Sequence, residues 1–117
     1  MKILLVDDDL DQLSIRAMLL EKSGLEVVKA TDAKQARELA AEHRPDCVLM
    51  DLNLPTYDEG LALIHDLKAT GANLRICILT GSDPQKFRQH PEAKLVDAIF
   101  GKPASSAALI RKLKSYA

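Results

Sequence analysis

The sequence predicts an α/β domain in which five helices cover both faces of a doubly wound, five-stranded parallel sheet. Three observations carry that prediction. Short apolar runs alternate with longer segments of helical periodicity. Most of those runs are nearly continuous in apolar residues, as strands covered on both faces are. The chain has 117 residues, 47% of them hydrophobic, 28% charged and only 3% aromatic, which suits one soluble domain with an aliphatic core. No internal repeat and no Pro/Gly/Ser linker divides it, so residues 1–117 read as a single domain.

The strands are expected at Lys2 to Val6, Glu26 to Ala30, Asp46 to Met50, Arg75 to Leu79 and Asp97 to Phe100. The first helix carries Leu13, Ala17 and Leu20 on one stripe and ends at Gly24, a good residue just past a helix end. Asp32 is placed to cap a second helix that runs to about Glu42, with Pro45 beyond it. Leu61, Ile64 and Leu67 stripe the third, closed by Gly71. Ser82 or Asp83, followed by Pro84, opens the fourth. That helix is polar, has Phe87 as its one large apolar residue before Leu95, and meets Pro91, so it is expected to be short or to break near His90. Ser105 or Ser106 caps the fifth, with Leu109, Ile110 and Leu113 facing inward.

Charge and cysteine usage narrow the function. Sixteen Lys and Arg against seventeen Asp and Glu leave a formal charge of -1, which argues against nucleic-acid binding by this domain and against an anionic membrane surface. The one basic cluster, Arg111, Lys112 and Lys114, reads as a solvated helix face. Cys47 and Cys77 lie inside apolar runs and read as buried, reduced thiols. No stretch is long enough to span a bilayer, and the apolar run at the N-terminus is too short for a signal peptide, so a cytoplasmic location is expected.

In doubly wound sheets ligands bind beyond the carboxyl ends of the strands. There the first strand ends in Asp7, Asp8 and Asp9, the third in Asp51, and the fourth in Thr80, Gly81 and Ser82, while Gly101, Lys102 and Pro103 follow the fifth. Each has an ordinary reading alone: Asp caps helices, Thr and Ser start turns, Lys is solvated. Together they bring carboxylates, a hydroxyl and an ammonium to one sheet edge, with strands only about 4.8 Å apart. Clustered carboxylates repel unless a cation joins them. Hard oxygen donors in that number suit Mg²⁺, and Mg²⁺ points to phosphate chemistry. A carboxylate can attack phosphorus, a Lys can neutralise phosphoryl oxygens and a Thr can donate to one.

The residues resemble the receiver domain of two-component response regulators, and the resemblance covers essentially the whole chain. It rests on Ile3-Leu4-Leu5-Val6-Asp7-Asp8-Asp9, on Val48-Leu49-Met50-Asp51-Leu52-Asn53-Leu54-Pro55, on Ile78-Leu79-Thr80-Gly81 and on Gly101-Lys102-Pro103. The resemblance implies a flavodoxin-like sheet of strand order 2-1-3-4-5 and a phosphorylation-dependent switch. It implies that Asp51 accepts a phosphoryl group from a histidine kinase or a histidine phosphotransfer protein. Asp8 and Asp51 would hold Mg²⁺ through their side chains, Asn53 through its backbone carbonyl, and Asp7 mostly through water. Thr80 would reorient toward the phosphoryl group, Lys102 would pair with it, and the Lys102–Pro103 peptide would be cis. Asp9 reads as the cap of the first helix. The domain would catalyse only its own phosphorylation and dephosphorylation, and the face of helix four, strand five and helix five would control a downstream partner or an attached output domain.

Two departures modify that picture. The Gly that usually follows the phosphoacceptor loop comes one residue late, at Gly60. The position three before Lys102, often aromatic in the family, is Ile99, and strand alternation turns the neighbouring Phe100 to the opposite face. Signalling is therefore expected through the Gly81-Ser82-Asp83 loop and the fourth helix. A haloacid-dehalogenase-type phosphatase would need a second Asp where Asn53 stands, and a flavodoxin-type electron carrier would need a hydroxyl- and Gly-rich phosphate loop where the three acids stand.

Overall fold

The computed structural model describes residues 1–71 and 73–117. The chain runs β1 (Lys2–Val6), α1 (Leu10–Lys22), β2 (Glu26–Ala30), α2 (Ala33–His43), β3 (Cys47–Asp51), α3 (Tyr57–Thr70), β4 (Arg75–Thr80), α4 (Pro84–Arg88), β5 (Ala98–Gly101) and α5 (Ser106–Lys114). Among the described residues the strands form one parallel sheet in the order β2-β1-β3-β4-β5. The expected fold class and strand order are thus both present.

Strand alternation divides the core in two. Leu4, Val6, Val48, Met50, Ile76 and Ile78 face α2, α3 and Phe87 of α4. Ile3, Leu5, Cys47, Leu49, Cys77 and Leu79 face α1 and α5. Ile99 packs on the first side and Phe100 on the second, as alternation requires.

Helix starts follow local chemistry. Asp9, Asp32, Thr56, Asp83 and Ser105 each accept a backbone N–H from the first turn of their helix. Gly24 sits just past α1 with φ +96°, the left-handed backbone that glycine adopts freely. α4 is only five residues long; after His90 the chain forms a 3₁₀ turn, Pro91–Leu95, so the proline break falls where expected. Phe87, 1% exposed, anchors this short polar helix to the core.

Five strand boundaries differ from expectation by one residue. β3 and β5 both start and end one residue later, at Cys47–Asp51 and Ala98–Gly101, and β4 runs on through Thr80. Asp46 and Asp97 lie just outside their strands and turn their carboxylates onto the N–H groups of Lys2 and Ile76. Asp51 is the last residue of β3, still in register with Leu79.

The cysteines are free and buried, with their Sγ atoms 3.9 Å apart. Cys47 is in register with Arg75 and Cys77 with Leu49, which makes the thiols diagonal neighbours. With strands about 4.8 Å apart and a rise of about 3.3 Å per residue, such diagonal sites lie roughly 8 Å apart, too far for a disulfide without moving backbone. Hydrogen bonding to Cys77, then burial, push the Cys47 thiol up.

Gly60 is required by packing. A Cβ there would lie 1.8 Å from the carbonyl oxygen of Leu52, which is backbone and cannot rotate away. Gly60→Ala should therefore lower stability by about 2 kcal/mol or more, the scale of an overpacked core. Chemical denaturation reads this directly, and an unchanged midpoint would contradict the close approach of α3 to the β3–α3 loop.

Candidate functional site

The register of the sheet assembles the site. Val6 pairs with Met50, so Asp7 and Asp51 leave adjacent strands at the same level. Thr80 pairs with Gly101, which puts Lys102 one step past the end of β5. The Lys102 backbone N–H donates to the Thr80 carbonyl at 2.8 Å, tying the two segments together.

Asp7 and Asp51 are buried, 1% and 6% exposed, whereas Asp8 is exposed. One carboxylate oxygen from each of Asp7, Asp8 and Asp51 lies within 4.8 Å of the others. Asp51 Oδ1 accepts the Asn53 backbone N–H at 3.0 Å. Its Oδ2 forms an ion pair with Lys102 Nζ. Asp7 Oδ1 accepts the Asp9 N–H at 2.9 Å, and its Oδ2 accepts Arg16 Nη1 at 3.1 Å. Asp9 turns the other way and caps α1 through the N–H groups of Asp11 and Gln12. Thr80 is 2% exposed, and its Oγ1 accepts the Ser82 N–H at 3.1 Å.

Asp7, Asp8, Asp51, Thr80 and Lys102 thus reach one edge of the sheet, while the Asp9 carboxylate stays with α1. Asn53 is held there by its backbone N–H. The Lys102–Pro103 peptide is cis, and so is Leu54–Pro55, which the sequence did not announce. Arg16 is not among the strand-end residues because it sits on α1. Its signal was position: Leu13, Ala17 and Leu20 are buried, and Arg16 lies three residues after Leu13 and four before Leu20, on the same flank.

Chemically, the edge offers hard carboxylate oxygens, an ammonium and a buried hydroxyl. Three converging carboxylates, two of them buried, fit a small hard cation such as Mg²⁺.

The model of the response regulator receiver domain matches residues 3–114. The chain belongs to the response regulator receiver domain family. It is 32% identical over 114 residues to the transcriptional regulatory protein PrrA of Mycobacterium tuberculosis, covering 97% of this chain. It spans 48% of that relative's length. It is also 32% identical over 120 residues to sporulation initiation phosphotransferase F of Bacillus subtilis, covering 98% of this chain and 92% of the relative. Among solved structures, the receiver domain of the Francisella response regulator 1452 superposes with a TM-score of 0.87 at 26% identity, over 98% of this chain and 94% of that one. As a receiver domain of the two-component type, it is a signalling domain rather than a metabolic enzyme. Among the described residues no helix is long and apolar enough to cross a membrane.

Proposed function

We propose that residues 1–117 form a single cytoplasmic switch domain in which Asp51 accepts a phosphoryl group from a histidine kinase or a histidine phosphotransfer protein. The observation that carries this reading is the setting of Asp51. Its nearly buried carboxylate lies beside two further acids, is paired with Lys102, and stands at the strand end next to Thr80.

The side chains of Asp8 and Asp51, the backbone carbonyl of Asn53, and Asp7 mostly through water would hold Mg²⁺. Bound there, the ion offsets charge on the acids and on the phosphoryl oxygens. An ionised Asp51 needs no general base. Its oxygen forms the new O–P bond as the P–N bond of a phosphohistidine breaks, and the electron pair leaves with the imidazole. Lys102 then exchanges the Asp51 carboxylate for a phosphoryl oxygen. The Thr80 hydroxyl donates to another and gives up its contact with the Ser82 N–H. Hydrolysis of the acyl phosphate by the same site returns the domain to rest.

Movement of Thr80 and Lys102 would bias the α4–β5–α5 face toward a second arrangement and control a downstream partner or an attached output domain. With Ile99 rather than an aromatic side chain packed against the α2–α3 side of the core, the natural route is the Gly81-Ser82-Asp83 loop. Asp83 caps α4, and α4 is the shortest helix, so a shift in that loop reaches the helix directly.

Incubation with Mg²⁺ and a small phosphodonor is expected to add one phosphoryl mass, and Asp51→Asn to abolish it. An unmodified wild-type mass would reject the reading. Lys102→Ala should still be phosphorylated but should lose the change in partner affinity that phosphorylation brings. Unchanged coupling in the phosphorylated variant would remove Lys102 from the switch.

A further inference from the structure

Asp7 is 1% exposed, and a carboxylate so buried needs a partner. Its partner is Arg16, 3.1 Å away with a side chain only 15% exposed, so solvent and salt screen the pair weakly. Arg16 and Lys102 differ in how they are held. Lys102 pairs with Asp51, the residue that changes chemically, and lies in a loop. Arg16 pairs with Asp7 and sits inside α1 among the residues that pack it on the sheet.

We propose that Arg16 is a positioning residue that fixes the charge of the Mg²⁺ pocket, holding divalent-cation affinity down in the resting state and completing charge balance in the phosphorylated one. This rests on the Mg²⁺ reading above. In the resting pocket Lys102 and Arg16 offset two of the three carboxylates. A phosphoryl group brings about two negative charges, so with Asp7 and Asp8 the pocket then carries about four. The divalent ion, Lys102 and Arg16 together match them; without Arg16 the pocket is one positive charge short. Before phosphorylation the same fixed cation repels the incoming ion.

The test is a Mg²⁺ titration of the full chain at constant ionic strength, followed by amide NMR shifts, for wild type, Arg16→Gln and Arg16→Lys. Arg16→Gln should bind Mg²⁺ roughly three- to tenfold more tightly, a modest Coulombic effect at short range. Arg16→Lys should stay within about twofold of wild type because the charge remains. Equal or weaker binding by folded Arg16→Gln would overturn the proposal and leave Arg16 a structural partner of Asp7. If Arg16→Gln does not fold, the comparison moves to Asp7→Asn against Asp7→Asn/Arg16→Gln, where the uncompensated cation is gone only in the double variant. The double variant should bind Mg²⁺ at least about threefold more tightly, and equal affinities would overturn the proposal. A wild type without Mg²⁺-dependent shifts would defeat the Mg²⁺ reading itself and this inference with it.

Discussion

Three carboxylates held within 4.8 Å of one another repel, and the rest of this edge is organised around tolerating that repulsion. Two of them are nearly buried, which would worsen the problem in the absence of partners. Each has its own. Asp51 has the Lys102 ammonium and the Asn53 N–H; Asp7 has the Arg16 guanidinium and the Asp9 N–H. Asp8 stays in water. The compensation comes from two separate elements, one cation from the loop after β5 and one from α1.

The parallel sheet makes such convergence possible. Apolar residues fill both faces of the middles of β1, β3 and β4, so the polar groups of the site sit at the strand ends or just past them. Because β1 and β3 are neighbours and in register, their terminal acids emerge side by side. The β4–β5 pairing then brings Thr80 and Lys102 up to the same edge, joined by a backbone hydrogen bond. Packing is sparse next to this edge. α4 has five residues and one buried anchor, and regions with few buried contacts are where conformational change costs least.

Much of this was legible in the sequence because it depends on local rules. Apolar runs marked the strands, Asp32 and Asp9 marked helix starts, and Pro91 marked the break after α4. The acids, Thr80 and Lys102 were legible because strand ends in this topology converge. What escaped depends on distance in space. Asp46 and Asp97 moved strand starts by one residue by bonding to neighbouring strands. Gly60 is dictated by the backbone of Leu52, eight residues earlier, and nothing in the linear pattern states that approach. Arg16 lies on α1, away from the strand ends in the sequence, and only the fold turns it onto Asp7.

The central claim is that one acid of this cluster is singled out as the acceptor while its neighbours remain carboxylates. Reduction of the phosphorylated protein with borohydride, followed by peptide mapping, tests it at residue level, because an acyl phosphate is reduced to an alcohol and a free carboxylate is not. The account predicts modification at Asp51, with Asp7 and Asp8 recovered unchanged. Modification at Asp7 or Asp8, or spread over all three, would contradict it.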